Sequence, residues 1–342
     1  MRLRGLGRSI LGRAAGSSTA SFGVDLVERL VPVREDVLAV LTYHRIAARS
    51  SETGSPPSLI SSTPDEFEQQ VALVARRYRP LGLDDLIRTI RTRAVRLPSR
   101  SVLITFDDGY PDFAEHAWPI LARWGVPATL FVPTAYPGSS NAMFWWDRLH
   151  RLLNHDRDAR ITLGSTSFAL ATEAERRRAY RHLHEYLNNS APGAVEPTLE
   201  GLELQINNLP LPKRSTLTWD ELRRLKAEGV SLAPHSKTHP RLDLLSEHDL
   251  AEEVAGSLAR LRAEVGACSP AFAYPGGYYN PSVVRSVREA GYELAFTTER
   301  GLNDLRSMAA FLIRRLNIGS RSSPTLIRAQ LLPIGMGKIR DR

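Results

Sequence analysis

The stretch SVLITFDDGY, residues 101–110, joins an apolar run to two adjacent carboxylates and a glycine. Its first six residues, rich in β-branched and aromatic side chains, predict a buried strand. Asp107 and Asp108 stand where this strand gives way to a loop, and Gly109 relaxes the backbone there. Adjacent carboxylates repel each other and are costly to desolvate, so the stretch is either an ordinary turn or part of a functional site.

Strand-like and helix-like segments alternate on both sides of this stretch. Other apolar runs predict strands at 37–44, 128–133, 230–234, 271–275, 292–298 and 311–318. Thr63 and Thr218 each predict the start of a helix, because a glutamate follows three residues later and completes a capping box. This alternation favours an α/β fold with a parallel sheet and outer helices, either open or closed as a barrel, whose functional residues gather at the C-terminal strand ends.

The alternation is interrupted at about residues 139–214, which predict an inserted helical subdomain. For Trp145 and Trp146 two interpretations stay open, core packing and a platform for a sugar. We interpret His182 and His184 as solvated helix residues, since positions two apart face different sides of a helix. A lid over the substrate is a hypothesis for the role of this insertion.

Two histidines predict a metal-binding function for the aspartate pair. His235 and His239 follow the strand predicted at 230–234, and their spacing predicts that both imidazoles lie on one face of a helical turn. With one of the aspartates they offer two nitrogens and an oxygen, the ligand set of a catalytic zinc or similar divalent ion. The other aspartate is then available as a base, and the cation offsets the repulsion between the carboxylates.

These residues carry a resemblance to a known family. TFDDGY and HSKTHP resemble the first two motifs of the polysaccharide deacetylases, the NodB-homology carbohydrate esterases, and AFAYPGG resembles their third motif. The resemblance covers most of the chain from about residue 37 to 318, apart from the insertion. It implies a distorted (β/α) barrel over residues 36–320, between an N-terminal segment, 1–35, and a C-terminal tail, 321–342.

The resemblance also implies an activity and roles for single residues. The expected reaction is hydrolytic removal of N-acetyl groups from an amino-sugar polysaccharide or its lipid-linked precursor, with Asp107 as the base that activates a metal-bound water. The ion is expected to be zinc or another divalent transition metal, bound by Asp108, His235 and His239. Contacts with the substrate or the oxyanion are expected from the third motif, at Tyr274 and Gly276.

The chain departs from the family pattern at two points. Ala273 stands where the third motif usually begins with an arginine that orients the catalytic aspartate, and Arg314 or Arg315 is a hypothetical replacement. No histidine follows His248, although the last motif usually supplies one as general acid. His44, which ends the first predicted strand, is our candidate for this acid, and a structural histidine bonded to the backbone is the alternative.

Two other functions use the same fold. A deformylase or deacetylase of a lipid-linked monosaccharide would employ the same residues in the same roles. A catalytically inactive glycan-binding or assembly protein is favoured by the missing arginine and histidine, and disfavoured by the intact base and ligands. A glycosidase is disfavoured, because its two carboxylates must flank the scissile bond at roughly 5 to 9 Å.

The composition argues against a nucleic-acid partner. The net charge is +8, and of the 45 basic residues only four are lysine, so 41 are arginine. We interpret this as the codon usage of a GC-rich genome, since no long basic run is interleaved with aromatic residues. Cys268 is the only cysteine, which excludes an intrachain disulfide and a cysteine-rich metal site.

The N-terminus predicts no secretory signal. Its first twenty residues contain four arginines and no acid, and a signal would need an unbroken apolar core. We therefore expect a cytoplasmic protein, at the inner face of the membrane. Two interpretations of this segment stay open, a disordered tail and a basic amphipathic helix that makes peripheral contact with a membrane surface.

Overall fold

The computed structural model describes residues 18–31, 34–49, 56–92, 96–139, 142–210 and 214–333. Most of the predicted N-terminal segment and the last nine residues of the predicted C-terminal tail lie outside these ranges. The helices are α1 (Ser18–Leu30), α2 (Pro64–Arg77), α3 (Leu83–Thr92), α4 (Trp118–Arg123), α5 (Trp145–His155), α6 (Glu173–Asn189), α7 (Pro192–Glu203), α8 (Trp219–Ala227), α9 (Glu247–Val265), α10 (Pro281–Glu289) and α11 (Pro324–Leu331).

The strands follow the predicted apolar runs closely. They are β1 (Val37–Tyr43), β2 (Arg45–Ile46), β3 (Ile60–Ser62), β4 (Arg79–Pro80), β5 (Ser101–Phe106), β6 (Thr129–Val132), β7 (Arg160–Leu163), β8 (Thr166–Ala169), β9 (Ser231–Pro234), β10 (Ala271–Ala273), β11 (Leu294–Arg300), β12 (Asn303–Asp304) and β13 (Ile313–Asn317). A π-helical segment, Phe113–Ala117, follows the aspartate pair and leads directly into α4.

Seven strands form a nearly closed parallel sheet in the order β10-β11-β13-β1-β5-β6-β9. The two outermost strands approach each other, because the Ser269 N–H donates to the Leu232 carbonyl at 3.1 Å. β4 adds to β5, and β12 pairs antiparallel with β1. The predicted distorted (β/α) barrel is confirmed. Since the strands are parallel, their C-terminal ends meet at one rim.

Most residues of the seven main strands are buried, whichever face of the sheet they occupy, as is typical of parallel strands. One core cluster lies inside the barrel, because each of the seven main strands contributes to it, through residues such as Val40, Leu103, Phe131, Ala233, Ala273, Phe296 and Ile313. Residues of the opposite parity, such as Leu41 and Ile104, pack outwards against α2, α4 and α8. This alternation decides which polar residues at the strand ends point into the barrel.

The insertion between β6 and β9 has a core of its own. Its helices α5, α6 and α7 bury a cluster of leucines, including Leu149, Leu183 and Leu199. The insertion is helical as predicted, but it also contains the antiparallel hairpin β7–β8, which the sequence analysis missed. Gly164 occupies the turn of this hairpin with a φ of +59°, a conformation that favours glycine.

The chain ends meet outside the barrel. Helix α1 packs on α11, where Arg328 donates to Glu28 at 2.7 Å and also pairs with Asp25. Ile327 of α11, which lies within the predicted C-terminal tail, is buried in the outer core. Among the described helices, none has the length and apolar character needed to cross a membrane.

Candidate active site

The rim of the barrel brings together most of the predicted site residues. One cavity of about 840 Å³ is lined by His44, Asp107, Asp108, His235, His239 and Gly276. His44 follows β1, the aspartates follow β5, the two histidines follow β9 and Gly276 follows β10, so that four strand ends supply them. Residues more than 120 positions apart in the sequence therefore share one site because their strands run parallel in the same barrel.

Asp108 and the two histidines form a cluster suited to a cation. One ligand atom from each residue lies within 4.8 Å of the others. The Asp108 Oδ1 atom is 3.7 Å from His235 Nε2 and 3.5 Å from His239 Nε2. It is buried without a hydrogen-bond partner among the described residues, and Asp108 has a φ of +73°. Such strain and an unsatisfied oxygen are costly and are typical of functional sites.

A backbone hydrogen bond orients His235. Its Nδ1 atom lies 2.7 Å from the Ala273 carbonyl oxygen, which can only accept. Nδ1 therefore carries the proton, and the Nε2 atom, which faces Asp108, presents a lone pair. A metal-binding histidine commonly has this arrangement, in which a carbonyl fixes the tautomer of the ring. Ala273 thus contributes through its backbone, although its side chain departs from the family pattern.

The prediction of a helical turn between the two histidines is wrong. Ser236 and His239 both have a φ of +60°, and the segment is a loop. Buried Glu253 of α9 shapes this loop, because its carboxylate accepts from the backbone N–H groups of Lys237 and Thr238 at 2.8 and 2.9 Å. The loop brings both imidazoles to Asp108 by a different route from the one that the spacing predicts.

Asp107 is held by a buried arginine. Arg315 of β13 donates through Nη1 and Nη2 to both carboxylate oxygens, each at 2.8 Å, and through Nε to the Thr297 carbonyl at 2.8 Å. Arg314 points outwards and lies 3.6 Å from Glu299. Of the two arginines proposed to replace the one missing at Ala273, the geometry therefore selects Arg315.

The surroundings of the two aspartates shift their pKa values in opposite directions. Burial acts to raise the pKa of Asp107, but the Arg315 charge and its hydrogen bonds, together with His235, hold that pKa well below its usual range. Burial and the charges of Asp107 and Asp147 raise the pKa of Asp108 well above its usual range. A cation beside Asp108 would reverse this effect, because it stabilises the ionised carboxylate.

His44 lines the cavity from the end of β1. Its backbone N–H donates to the Ser61 hydroxyl at 3.0 Å, while its imidazole faces the cavity. Burial lowers the pKa of this imidazole, the Asp107 charge raises it, and the Arg315 charge lowers it. The net effect is a lowered pKa, and His44 lies at the same rim as Asp107.

The third motif contributes backbone and not its tyrosine side chain. Gly276 lines the cavity with a φ of +59°, and beside it a Cβ on Gly277 would lie 1.8 Å from Thr298 Oγ1. Tyr274 is not brought to the cavity. It shares the parity of Phe272, so its ring lies on the outer side of the sheet and its hydroxyl donates to the Phe311 carbonyl at 3.1 Å.

A buried polar network behind the site was missed from the sequence. Trp146 Nε1 donates to the Tyr110 hydroxyl at 2.8 Å, and that hydroxyl donates to Asp147 at 3.0 Å. The Trp146 ring packs edge-on against His239, with centroids 4.8 Å apart. Trp146 therefore packs within the site, and both tryptophans line the cavity, with Trp145 the less buried of the two. No local signal in the sequence links these residues, since the insertion brings them together.

The fold and the site together define a class of protein, a barrel hydrolase whose rim carries an Asp/His/His cluster suited to a divalent ion. A protein-family model described as polysaccharide deacetylase matches residues 94–295, more than half of the chain. The chain belongs to the polysaccharide deacetylase family and is a hydrolase of that family, as the resemblance of its motifs implied.

Named relatives and solved structures agree with this family. The poly-β-1,6-N-acetyl-D-glucosamine N-deacetylase of Staphylococcus epidermidis is 25% identical over 205 residues, which cover 56% of this chain and 69% of that protein. The deacetylase PplD of Streptococcus pyogenes, solved with acetate, has a TM-score of 0.58 at 22% identity, covering 88% of this chain and 99% of that one. The structure of IcaB from Ammonifex degensii has a TM-score of 0.58 at 21% identity, and the match covers 87% of this chain and 97% of that one. At these identities the two structures establish the likeness of fold.

Proposed function

We propose that this protein removes N-acetyl groups from an amino-sugar-containing polysaccharide or its lipid-linked precursor in a metal-dependent reaction. The observation that carries the proposal is the pair of adjacent aspartates with divided roles, one anchored by Arg315 and the other facing two histidines. The name of the Staphylococcus epidermidis relative, a poly-N-acetylglucosamine N-deacetylase, supports the choice of an N-acetylated glycan.

The proposed metal ligands are Asp108, His235 and His239. Two imidazole nitrogens and one carboxylate oxygen suit zinc or another divalent transition metal and leave coordination positions open. At such a site a divalent ion makes water more acidic and polarises a carbonyl group. The unsatisfied oxygen of Asp108 and the tautomer of His235 both fit this occupant.

Asp107 acts as the proton acceptor in the proposed reaction. Its low pKa keeps the carboxylate ionised, which is the form that takes a proton from water. The two hydrogen bonds from Arg315 fix the plane of the carboxylate, and each oxygen keeps a lone pair for a further partner. Arg315 therefore acts through Asp107, as a positioning residue.

His44 supplies the other proton in the proposed reaction. Hydrolysis of an acetamide breaks the bond between the carbonyl carbon and the nitrogen, and the leaving nitrogen must gain a proton to depart as an amine. The imidazole of His44 lies at the same rim as Asp107; burial lowers its pKa, and the Asp107 charge acts against this effect. A His44→Ala variant that keeps its bound metal and its full turnover would contradict this role.

Acetate release from defined N-acetylglucosamine oligomers tests the proposed function. We expect release by the parent with a divalent ion, its loss in Asp107→Asn with metal retained, and loss of metal and acetate in His235→Ala. Asp220→Asn and His248→Ala change exposed residues of the same types away from the cavity and serve as matched controls. Faster release of formate from lipid-linked sugars would favour the deformylase, and no acetate with any divalent ion would favour the inactive glycan-binding protein.

We also propose that the N-terminal region contacts an anionic membrane surface. Phe22, Leu26 and Leu30 are 72%, 50% and 72% exposed and repeat every four residues, so they form one apolar stripe along α1. The seventeen residues before α1 contain four arginines and no acid. A basic segment that is followed in the sequence by an apolar helix face suits an anionic lipid surface. The arginines would be attracted to the lipid charges, and the apolar side chains would enter the boundary between headgroups and acyl chains. A cytoplasmic location, at the inner face of the membrane, stays a prediction.

Sedimentation with vesicles that contain phosphatidylserine tests this contact. We expect Phe22→Asp to reduce binding and Leu204→Asp, a change at an exposed leucine of the insertion, to leave binding unchanged. Raised salt should weaken the binding of the parent, since screening reduces the attraction of the arginines. Equal binding by both variants would contradict the contact. So would a dimer that Phe22→Asp disrupts in the absence of any vesicle binding, because a second copy would then cover the stripe.

A further inference from the structure

We propose that helix α6 of the insertion forms a binding subsite for the sugar unit next to the one that is deacetylated. The subsite lies in the cavity that holds Asp107, and its substrate class rests on the proposed function. It would make the enzyme prefer an oligosaccharide over a single sugar.

One face of α6 is turned towards this cavity. The cavity is lined by Tyr180, Arg181, His184, Glu185 and Asn188, whose spacing of one, three and four residues follows the helical repeat. The opposite side of the helix is committed to packing, since Ala179 and Leu183 are buried in the core of the insertion. The cavity face is therefore available to a ligand without disturbing the fold of the insertion.

Three aromatic rings form the apolar part of this face. The His184 ring lies between Trp145 and Tyr180, with centroids at 4.9 and 5.4 Å, and all three are only partly buried. The C–H faces of a sugar ring are apolar, and aromatic side chains supply large apolar surfaces with polar edges. These rings can therefore pack against a sugar.

Polar side chains lie on the same face. Glu185 offers a carboxylate and Asn188 an amide, groups that exchange hydrogen bonds with hydroxyls. A few polar groups beside a mainly apolar surface are typical of a small-molecule site, where they fix the orientation of the ligand. The combination of aromatic rings, a carboxylate and an amide matches the mixed surface of a sugar unit.

The helix is fixed relative to the catalytic residues. Asn188 Nδ2 donates to the Tyr278 hydroxyl at 2.9 Å, and Arg241 donates to the side chain of Asn189 at 2.9 Å. The Arg241 guanidinium also lies over the Tyr278 ring, 4.0 Å from its centroid. Tyr278 and Arg241 belong to the loops that carry Gly276 and His239. These contacts thus hold the subsite at a set distance from the reacting groups.

The cavity is large enough for more than the reacting unit. Its volume of about 840 Å³ lies towards the upper end of the roughly 300–1,000 Å³ that is typical of pockets for drug-sized ligands. The catalytic groups occupy one part of the cavity wall and the α6 face occupies another. An acetylated sugar at the aspartates therefore leaves space for its neighbour beside the aromatic rings.

Substrate selectivity tests the subsite. For each variant we would measure kcat/KM on N-acetylglucosamine tetramer and on 4-methylumbelliferyl acetate, and compare the ratio of the two. We expect Tyr180→Ala and His184→Ala to lower this ratio about fivefold, since one aromatic contact is worth about 1 kcal/mol. Tyr186→Ala is the matched control, because Tyr186 lies on the same helix, is exposed and does not line the cavity.

Two results would overturn the subsite and leave the proposed function standing. One is a parent that deacetylates a single sugar as efficiently as the tetramer, and the other is a ratio that Tyr180→Ala and His184→Ala leave unchanged. If the parent releases no acetate from any substrate, the proposed function fails, and calorimetric binding of the tetramer tests the subsite alone. Weaker binding by Tyr180→Ala than by Tyr186→Ala supports it, and equal binding overturns it.

Discussion

Asp107 and Asp108 are neighbours in the sequence, yet their carboxylates meet different partners. Asp107 receives two hydrogen bonds from Arg315, whereas Asp108, with its positive φ, turns towards His235 and His239. The positive φ at Asp108 is what directs the two side chains apart. Two adjacent carboxylates that would otherwise repel each other are thus directed to different partners.

Replacing Arg315 should impair the proposed role of Asp107 as proton acceptor. We expect Arg315→Ala to lower turnover by about 10²–10³-fold and to cost about 3–5 kcal/mol of stability, because it leaves a buried charge without its partner. Without the guanidinium the pKa of Asp107 rises, so the carboxylate takes up its proton at higher pH. The acidic limb of the pH–rate profile should therefore move to higher pH, and kinetics from pH 4 to 9 would measure the shift.

Arg314→Ala is the control for this prediction, since Arg314 is adjacent and faces outwards. It should keep the parental pH profile. Arg315→Lys retains the positive charge without the two-pronged hydrogen bond, and should shift the acidic limb less than Arg315→Ala does. An acidic limb that stays in place in Arg315→Ala would argue against the coupling of these residues.

The charge of Asp107 should also affect the pKa of His44. Because Asp107 raises the pKa of His44, Asp107→Asn should lower that pKa further. Titration of the imidazole signals by NMR in the metal-free protein measures this directly, and Asp220→Asn should leave the signal of His44 unmoved. An unchanged His44 titration in Asp107→Asn would show that the two groups are not coupled.

The sequence could predict the candidate metal ligands but not the partner of Asp107. The aspartates and histidines stand at the ends of recognisable strands, so the parallel arrangement alone brings them together. Arg314 and Arg315 are chemically identical, and which of them enters the barrel depends on strand parity. Arg315 shares the parity of Ile313, which lies in the inner core. A shift of one residue in register would have exchanged the two.

At the scale of elements, the loop between the two histidines depends on a helix that follows it. Glu253 of α9 accepts hydrogen bonds from Lys237 and Thr238, and no local pattern around His235 predicts this contact. The spacing of the histidines predicts a helical turn because it contains no information about α9. Both imidazoles still lie beside Asp108, but the carboxylate of Glu253 stabilises the loop that brings them there.

Glu253 should therefore control metal binding without touching the metal ligands. We expect Glu253→Gln to weaken metal affinity by about 10–100-fold, as loss of a group that orients ligands commonly does. Competition with a chromogenic chelator measures the affinity. Glu252→Gln, at the adjacent exposed position, should bind metal like the parent. If the two variants lose affinity equally, Glu253 does not have this role.

The third-motif loop should not tolerate a side chain at Gly277. A Cβ there would collide with Thr298 Oγ1, and the φ of +76° disfavours other residues. We expect Gly277→Ala to lower the free energy of unfolding by about 2–4 kcal/mol. Gly201→Ala in α7, where a Cβ meets open space, should instead raise it by about 0.5–1 kcal/mol. Urea denaturation of both variants measures the difference, and equal stability would contradict the predicted clash.

At the scale of the whole molecule, the alternation of strands and helices was sufficient to predict the parallel architecture. The position of the insertion was not predictable in this way. Its helices fold around their own core, and the contact of Asn188 with Tyr278 joins residues 90 positions apart. The sequence analysis accordingly left Trp145 undecided and treated His184 as solvated, whereas both line the cavity.

The two ends of the barrel have different surroundings. Helix α1 lies near the N-terminal ends of the strands, where Glu28 and Val37 share a small cavity with Ser101. The proposed catalytic residues lie at the C-terminal ends, one barrel length away. A membrane bound through α1 would therefore leave the catalytic rim facing the solution, which suits a glycan that extends away from the lipid.

Arg315 lies in the last strand of the barrel, 208 residues after the carboxylate that it holds. A ribosome that has translated the chain only as far as β11 has already produced Asp107, Asp108 and both cluster histidines, but not this guanidinium. The nascent chain therefore carries every proposed metal ligand before it carries the group that keeps Asp107 ionised. A product truncated after β11 would therefore lack the charge that completes the proposed catalytic centre.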